Sequence, residues 1–147
     1  MTRLNLGAGT KQRRGWVNVD RLKLPGIDTA LDLDRPEPWP WDDGSVSAIE
    51  ADNLFEHLRE PVRFMLECHR ILAPGGTLRI ITPHMSSRAS WDDPTHIRHC
   101  TEHSFDFWIP GTVHYQASNG LYGGVAFTAP KLEVRDGLID VTLRKQP

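Results

Sequence analysis

Two short apolar runs near the start, one ending in Gly-x-Gly and the next in an acid, restrict this chain more than any other feature. Leu4-Asn5-Leu6 runs into Gly7-Ala8-Gly9, and Trp16-Val17-Asn18-Val19 runs into Asp20. That arrangement describes two neighbouring parallel strands that meet a ligand at their carboxyl ends. Glycines let the backbone approach the ligand without an intervening Cβ. An acid at the tip of the second strand can accept both hydroxyls of a ribose, so the pair points to a nucleoside-bearing cofactor.

The identity of that cofactor follows from what is missing. A dinucleotide fingerprint needs a third small residue three places after the second glycine, where this chain has Gln12, and its acid lies about 20 residues on, whereas Asp20 comes sooner. NAD and FAD are therefore disfavoured. S-adenosyl-L-methionine has a ribose and an adenine but no pyrophosphate, and so has less need of the third glycine or of a long helix aimed at phosphates.

The totals are those of one domain. With 147 residues the chain can bury a core, and a net charge of −2 gives no global bias toward nucleic acid or a membrane surface. No stretch reaches the length of a membrane span, and the N-terminus enters a strand without a signal-peptide pattern, so a cytoplasmic location is expected. Cys68 and Cys100 have no C-x-x-C spacing and read as free thiols.

Along the chain, residues 3–6 and 16–20 read as the first two strands, and the short link between them leaves room for no more than a turn of helix around residues 11–14. Residues 28–33 read as a third strand, closed by Pro36, Pro38 and Pro40. Residues 46–50 make a fourth. Glu60-Pro61 opens a helix whose Val62, Met65, Leu66, His69 and Leu72 share one face, and Pro74-Gly75-Gly76 ends it. Residues 77–82 form a buried strand. Residues 84–100 read as polar loop, Thr101 as the N-cap of a short helix through Trp108, and residues 111–129 as loop with one strand. Residues 132–135 and 138–143 flank Asp136-Gly137 as a hairpin.

These elements, with Asn5-Leu6-Gly7-Ala8-Gly9, Gly15-Trp16-Val17-Asn18-Val19-Asp20, Asp32-Leu33, Pro40-Trp41-Asp42-Asp43-Gly44-Ser45, Glu56-His57-Leu58 and Arg70-Ile71-Leu72-Ala73-Pro74-Gly75-Gly76-Thr77-Leu78, resemble the class I S-adenosylmethionine-dependent methyltransferases. The likeness covers residues 3–83. It is greatest to a compact group in which the first helix is shortened. The resemblance implies an α/β fold: a Rossmann-like, mostly parallel sheet with helices on both faces and a C-terminal antiparallel hairpin. It implies a cofactor-binding core over residues 3–83, acceptor-side loops over 84–130 and the hairpin over 131–145. Leu6, Gly7, Ala8 and Gly9 would line the methionine end of S-adenosyl-L-methionine, Asp20 the ribose, Asp32 and Leu33 the adenine, and Asn53 through His57 would close over the sulfonium. The segment from Asp93 to Phe105 corresponds to a loop that borders the acceptor pocket. The chain lacks the Asn/Asp-Pro-Pro-Tyr/Phe tetrapeptide of enzymes that methylate nucleic-acid bases, which argues against that substrate.

In-line transfer of a methyl group needs alignment and a dry site more than acid–base help. Where a base is needed, His57 is the first candidate and His84 the second; the bland reading of His57 is a helix-start residue. His99 and His103 fit an H-x-x-E-H pattern, which leaves a zinc hydrolase as a lesser alternative, but Thr101 as N-cap puts His99 outside the helix and the site assignment carries no metal. Lys11, Arg13 and Arg14 make a small basic cluster, read as solvated surface or as a phosphate contact. The acceptor is unidentified, with a small molecule among the open classes. A catalytically idle module that acts through a partner is the other alternative, and a homodimer is compatible with a short acceptor wall.

Overall fold

The computed structural model describes residues 1–118 and 120–147. Among them one sheet holds β1 (Thr2–Leu6), β2 (Val17–Asp20), β3 (Thr29–Ala30), β4 (Val46–Asp52), β5 (Leu72–Pro83), β6 (Phe127–Arg135) and β7 (Leu138–Lys145). The strand order is β3-β2-β1-β4-β5-β7-β6. The first five strands are parallel, while β7 runs antiparallel to β5 and forms a hairpin with β6. The helices are α1 (Pro61–Ile71), α2 (Arg88–Asp92) and α3 (Val113–Ser118), with 3-10 segments at Phe55–His57 and Glu102–Trp108. This is the Rossmann-like mixed α/β sheet with a terminal hairpin that the sequence pattern implies. No helix of the described residues is long and apolar enough to cross a membrane.

Strand alternation builds two unlike faces. Leu4, Leu6, Ile49, Ala51, Leu78, Ile80, Val141 and Leu143 stand in register across β1, β4, β5 and β7, each no more than 1% exposed. Against them α1 buries Phe64, Met65, Cys68 and Ile71. The buried face of α1 is thus turned from the one its periodicity suggests. Leu66 and His69 lie to its side: Leu66 packs against Gly123, and the His69 ring meets Phe127 edge-on at 5.1 Å. Two neighbours contact α1, so a single apolar stripe does not describe it.

The other face is polar. Asn18, Asn5, Glu50, Arg79, Thr142 and Lys131 follow one another across the sheet. Arg79 pairs with Glu50 at 3.4 Å and with Asp140 at 2.9 Å, and Lys131 meets Asp140 at 2.7 Å. A helix over β1 and β2 would need apolar partners at these positions. Instead residues 7–15 cross as loop, held by side chains of the strands beneath. The Asn5 amide donates to the Lys11 carbonyl at 2.9 Å and to Asn18 Oδ1 at 3.0 Å, which also accepts the Arg13 amide at 2.7 Å. Both asparagines are buried, so these bonds meet the need of a buried amide for partners.

The remaining boundaries shift for local reasons. The third strand shrinks from the expected residues 28–33 to Thr29–Ala30, because Asp28 turns its carboxylate to the Asn18 amide at 2.7 Å and Asp32 bonds the Asp34 amide at 3.0 Å. Pro74-Gly75-Gly76 does not separate helix from strand. It lies inside β5 as a bulge, where the register passes from Val46 opposite Leu72 to Ala48 opposite Thr77. The expected polar loop contains α2, and the 111–129 segment contains α3. Thr101 caps its helix as expected, bonding the His103 amide at 3.2 Å, although the helix is 3-10. Asp136 and Gly137 have φ of 54° and 74°, the two left-handed residues of a tight hairpin turn.

Candidate active site

The strand order reverses between β1 and β4, which opens a crevice at the carboxyl ends of the parallel strands. A cavity of about 620 Å³ lies there. Gly7 follows β1, Asp20 ends β2, residues 31–34 follow β3, and Asn53 and His57 follow β4, all on its wall. Thr95 and Ile97 close the far side from the loop after α2.

Each wall has a local cause. Gly7 has φ of +67°, and a Cβ there would come within 3.0 Å of Leu54, so glycine alone fits both backbone and space. Asn53 has φ of 52°, a conformation asparagine tolerates, and its amide donates to the Ile81 carbonyl at 2.8 Å. That turn lifts the chain off the sheet toward His57. Asp34 accepts from the Arg59 amide at 2.9 Å and from the Glu60 amide at 3.0 Å, tying the cavity floor to the start of α1, which has no side-chain cap of its own.

Asp20 does two things. Its Oδ2 accepts the Gly9 amide at 2.9 Å and its Oδ1 the Leu22 amide at 3.0 Å, leaving one lone pair on each oxygen directed elsewhere. The carboxylate thus organises the glycine turn as well as facing the cavity. This changes the expectation for Gly9, whose amide points at Asp20 and whose residue does not line the cavity. Leu6 and Ala8 are buried at 0% and 2% exposure beneath the turn, and the Ala8 amide donates to the Val19 carbonyl at 2.9 Å. Gly7, Asp20, Asp32, Leu33, Asn53 and His57 are brought together; Leu6, Ala8 and Gly9 support them from behind.

Of the two candidate bases only His57 reaches the cavity. His84 instead bonds Ser86 Oγ at 2.7 Å and Glu102 at 3.0 Å, and does not line it. The Glu102 carboxyl sits below its usual range, through its own backbone amide and then His84. At His57, Nδ1 lies 3.1 Å from Thr95 Oγ1, and that hydroxyl donates to Asp93 at 2.6 Å. The one hydroxyl proton goes to Asp93, so Nδ1 carries the ring proton and Nε2 the lone pair. Bonds from the Thr95 hydroxyl and amide hold the Asp93 carboxyl below the usual range.

His99 and His103 do not share a site. His99 stacks on Trp91 at 3.5 Å and its Nδ1 meets Ser90 Oγ at 2.8 Å, while His103 bonds Asp106 at 2.9 Å. Two members of the basic cluster are already paired, Lys11 with Asp52 at 3.0 Å and Arg13 with Glu50. Sequence reasoning missed Asp34, which no motif marks, while Thr95 and Ile97 belong to the Asp93–Phe105 segment expected to border the acceptor pocket but were not singled out. Glu56 and His96 likewise fall inside the segments expected around the sulfonium and the acceptor, but neither had a role of its own.

The geometry can be set against known proteins. The family model described as a methyltransferase domain matches residues 6–80, just over half of the 147 residues. An uncharacterized 37.1 kDa protein in transposon TN4556 of Streptomyces fradiae is 30% identical over 64 residues, which cover 44% of this chain and only 18% of that protein. The fold is similar to a SAM-dependent methyltransferase from Aquifex aeolicus, with TM-score 0.61 and 17% identity over 98% of this chain and 81% of that one. It is also similar to Burkholderia thailandensis 1,6-didemethyltoxoflavin-N1-methyltransferase, solved with that substrate and S-adenosylhomocysteine, with TM-score 0.64 and 15% identity over 99% and 71% of the two chains. By its glycine turn, its acid-tipped second strand and the family match that spans both, this chain belongs to the class I S-adenosylmethionine-dependent methyltransferases.

Proposed function

We propose that the chain transfers the methyl group of S-adenosyl-L-methionine to an acceptor held at the His57–Thr95 end of the cavity. One observation carries this reading: a single cavity joins Gly7, Asp20, Asp32, Leu33 and Asn53 at one end to His57 and Thr95 at the other. Asp20 uses its two remaining lone pairs on the ribose hydroxyls. Leu33 packs on the adenine, and Asp32 or nearby backbone receives the exocyclic amine. The methionine end lies along Gly7, Leu54 and Asn53. Asp20, Asp32 and Asp34 line the cavity together with Arg21 and Arg59, and the excess of one negative charge favours a sulfonium cation.

Bound so, the cofactor supplies an electrophilic methyl carbon, and the protein supplies alignment and exclusion of water. Where the acceptor must lose a proton, His57 takes it on Nε2 while Thr95 and Asp93 hold the ring. Residues 3–83 form the cofactor half, 84–130 the acceptor wall, and 131–145 complete the sheet. The 1,6-didemethyltoxoflavin bound in the structurally similar Burkholderia enzyme supports a small molecule as the favoured acceptor class.

Calorimetry with S-adenosylhomocysteine tests the reading. Saturable binding by the folded chain is expected, and folded protein without binding refutes it. Release of S-adenosylhomocysteine from S-adenosyl-L-methionine in the presence of an acceptor panel separates the enzyme from an idle module, which binds without turnover.

A further inference from the structure

Behind the acceptor end of the cavity, three side chains converge with no hydrogen bond among them. One oxygen of Glu56, one ring nitrogen of His57 and one of His96 lie within 4.8 Å of one another. Glu56 is 2% exposed. Its Oε2 accepts from the Thr82 hydroxyl at 2.9 Å, but Oε1 has no hydrogen-bond partner among the described residues. A carboxylate oxygen withdrawn from water with neither a donor nor a cation is among the least favourable groups a core can hold.

In their neutral form the imidazoles can turn lone pairs toward that oxygen. His96 Nδ1 faces the Ser90 carbonyl at 3.1 Å, and a carbonyl can only accept, so Nδ1 carries the proton. In the neutral ring the lone pair is then on Nε2, 3.9 Å from Glu56 Oε1 and 3.6 Å from Asp93 Oδ2. Those distances are too long for hydrogen bonds. Two ligand atoms each about 2.1 Å from a tetrahedral metal stand about 3.4 Å apart, so the Glu56–His96 pair at 3.9 Å has to draw in by about half an ångström to share an ion. His57 follows the same pattern, with Nδ1–H held by Thr95 at 3.1 Å. A partner on the far nitrogen of each ring, here a carbonyl and a hydroxyl, is how metal-bound histidines are oriented.

We infer that Glu56, His57 and His96 form a divalent transition-metal site. Two imidazoles and a carboxylate favour Zn²⁺ or Fe²⁺ over Mg²⁺ and Ca²⁺, which prefer oxygen alone. His57 lines the cofactor cavity, which puts one ligand of the ion beside the acceptor end, and three protein ligands leave a fourth position for a bound acceptor. A hydroxyl acceptor bound there gives its proton to solvent, because the ion stabilises the resulting alkoxide. The oxygen lone pair forms the new O–C bond, the C–S bond breaks, and its electron pair stays on sulfur as a neutral thioether. In this arrangement His57 is a ligand and not the base: the ion acidifies the bound hydroxyl and water takes the proton. The hydroxyl acceptor class rests on the methyltransferase reading above, whereas the ion site stands on its own ligands.

Calorimetric titration of Zn²⁺ into the full chain after chelator treatment tests the site, with Glu56→Gln, His96→Gln and, as a control away from the cluster, His103→Gln. One Zn²⁺ per chain is expected for the parent and His103→Gln. Glu56→Gln and His96→Gln should each weaken it by more than about 100-fold, because changes to outer partners alone cost 10–100-fold. Glu56→Gln keeps the bond from Thr82; if either variant fails to fold by circular dichroism, Thr95→Ala replaces it, with an expected loss of about tenfold or more. No saturable Zn²⁺, or equal uptake by parent and cluster variants, makes the three side chains a structural network only and overturns the proposal. S-adenosylhomocysteine binding is measured on the same samples: its absence beside intact Zn²⁺ uptake refutes the cofactor reading and leaves the site standing.

Discussion

Asp20 joins two functions in one carboxylate, and the variants Asp20→Asn and Asp20→Ala separate them. A carboxylate has about four lone-pair sites. Two accept the Gly9 amide at 2.9 Å and the Leu22 amide at 3.0 Å, and two remain for the ribose hydroxyls. Asparagine keeps one acceptor oxygen and puts an NH₂ where the other stood, facing a backbone N–H that then has no partner. One charge-assisted bond to the ligand is lost, about 1.5–3 kcal/mol, or roughly 10–150-fold in affinity. Alanine loses both ligand bonds and also frees the glycine turn, so its affinity should fall further and its thermal midpoint should drop as well. The assay is calorimetry with S-adenosylhomocysteine, paired with thermal melts of the unliganded chain. Unchanged affinity in both folded variants refutes the ribose contact. A drop in midpoint without a change in affinity leaves Asp20 as a brace for the turn alone.

Other substitutions test the frame around the cavity. Gly7→Ala forces an L side chain to φ of +67° and sets its Cβ 3.0 Å from Leu54; a loss of about 1–2 kcal/mol in stability, with weaker cofactor binding, should appear in urea melts and calorimetry. Asp34→Ala leaves the amides of Arg59 and Glu60 without their shared acceptor, and the urea midpoint should fall by the equivalent of about 1–2 kcal/mol. On the polar face, the Asp140 carboxyl is lowered from its ordinary value of 3.8 to about 2, chiefly by hydrogen bonds from Arg79 and then Lys131. A lowered folded pKa gives stability that is present above the unfolded value and lost as pH falls through the folded one. Asp140→Asn should therefore be less stable than the parent at neutral pH, and the gap should close between about pH 4 and 2 in acid titrations followed by circular dichroism.

Local chemistry decides much of this protein before it folds. Gly7 and Gly9, the acid at Asp20, the capping Thr101 and the Asp136-Gly137 turn act through the backbone of the few residues around them, and the structure has each in its expected conformation. The strand alternation likewise places Leu4, Leu6, Ile49 and Ala51 on one face whatever lies above it. Contacts between distant segments follow no such local rule. Asp34 meets Arg59, Thr95 meets His57, and Thr82 meets Glu56 across turns whose path depends on the packed sheet. The polar face shows the same division: Asn5, Asn18 and Glu50 are plain in the sequence, but their meaning depends on the register that aligns them under residues 7–15. A hydrogen bond needs its partner within about 3 Å, and only the tertiary fold sets which distant side chains come that close.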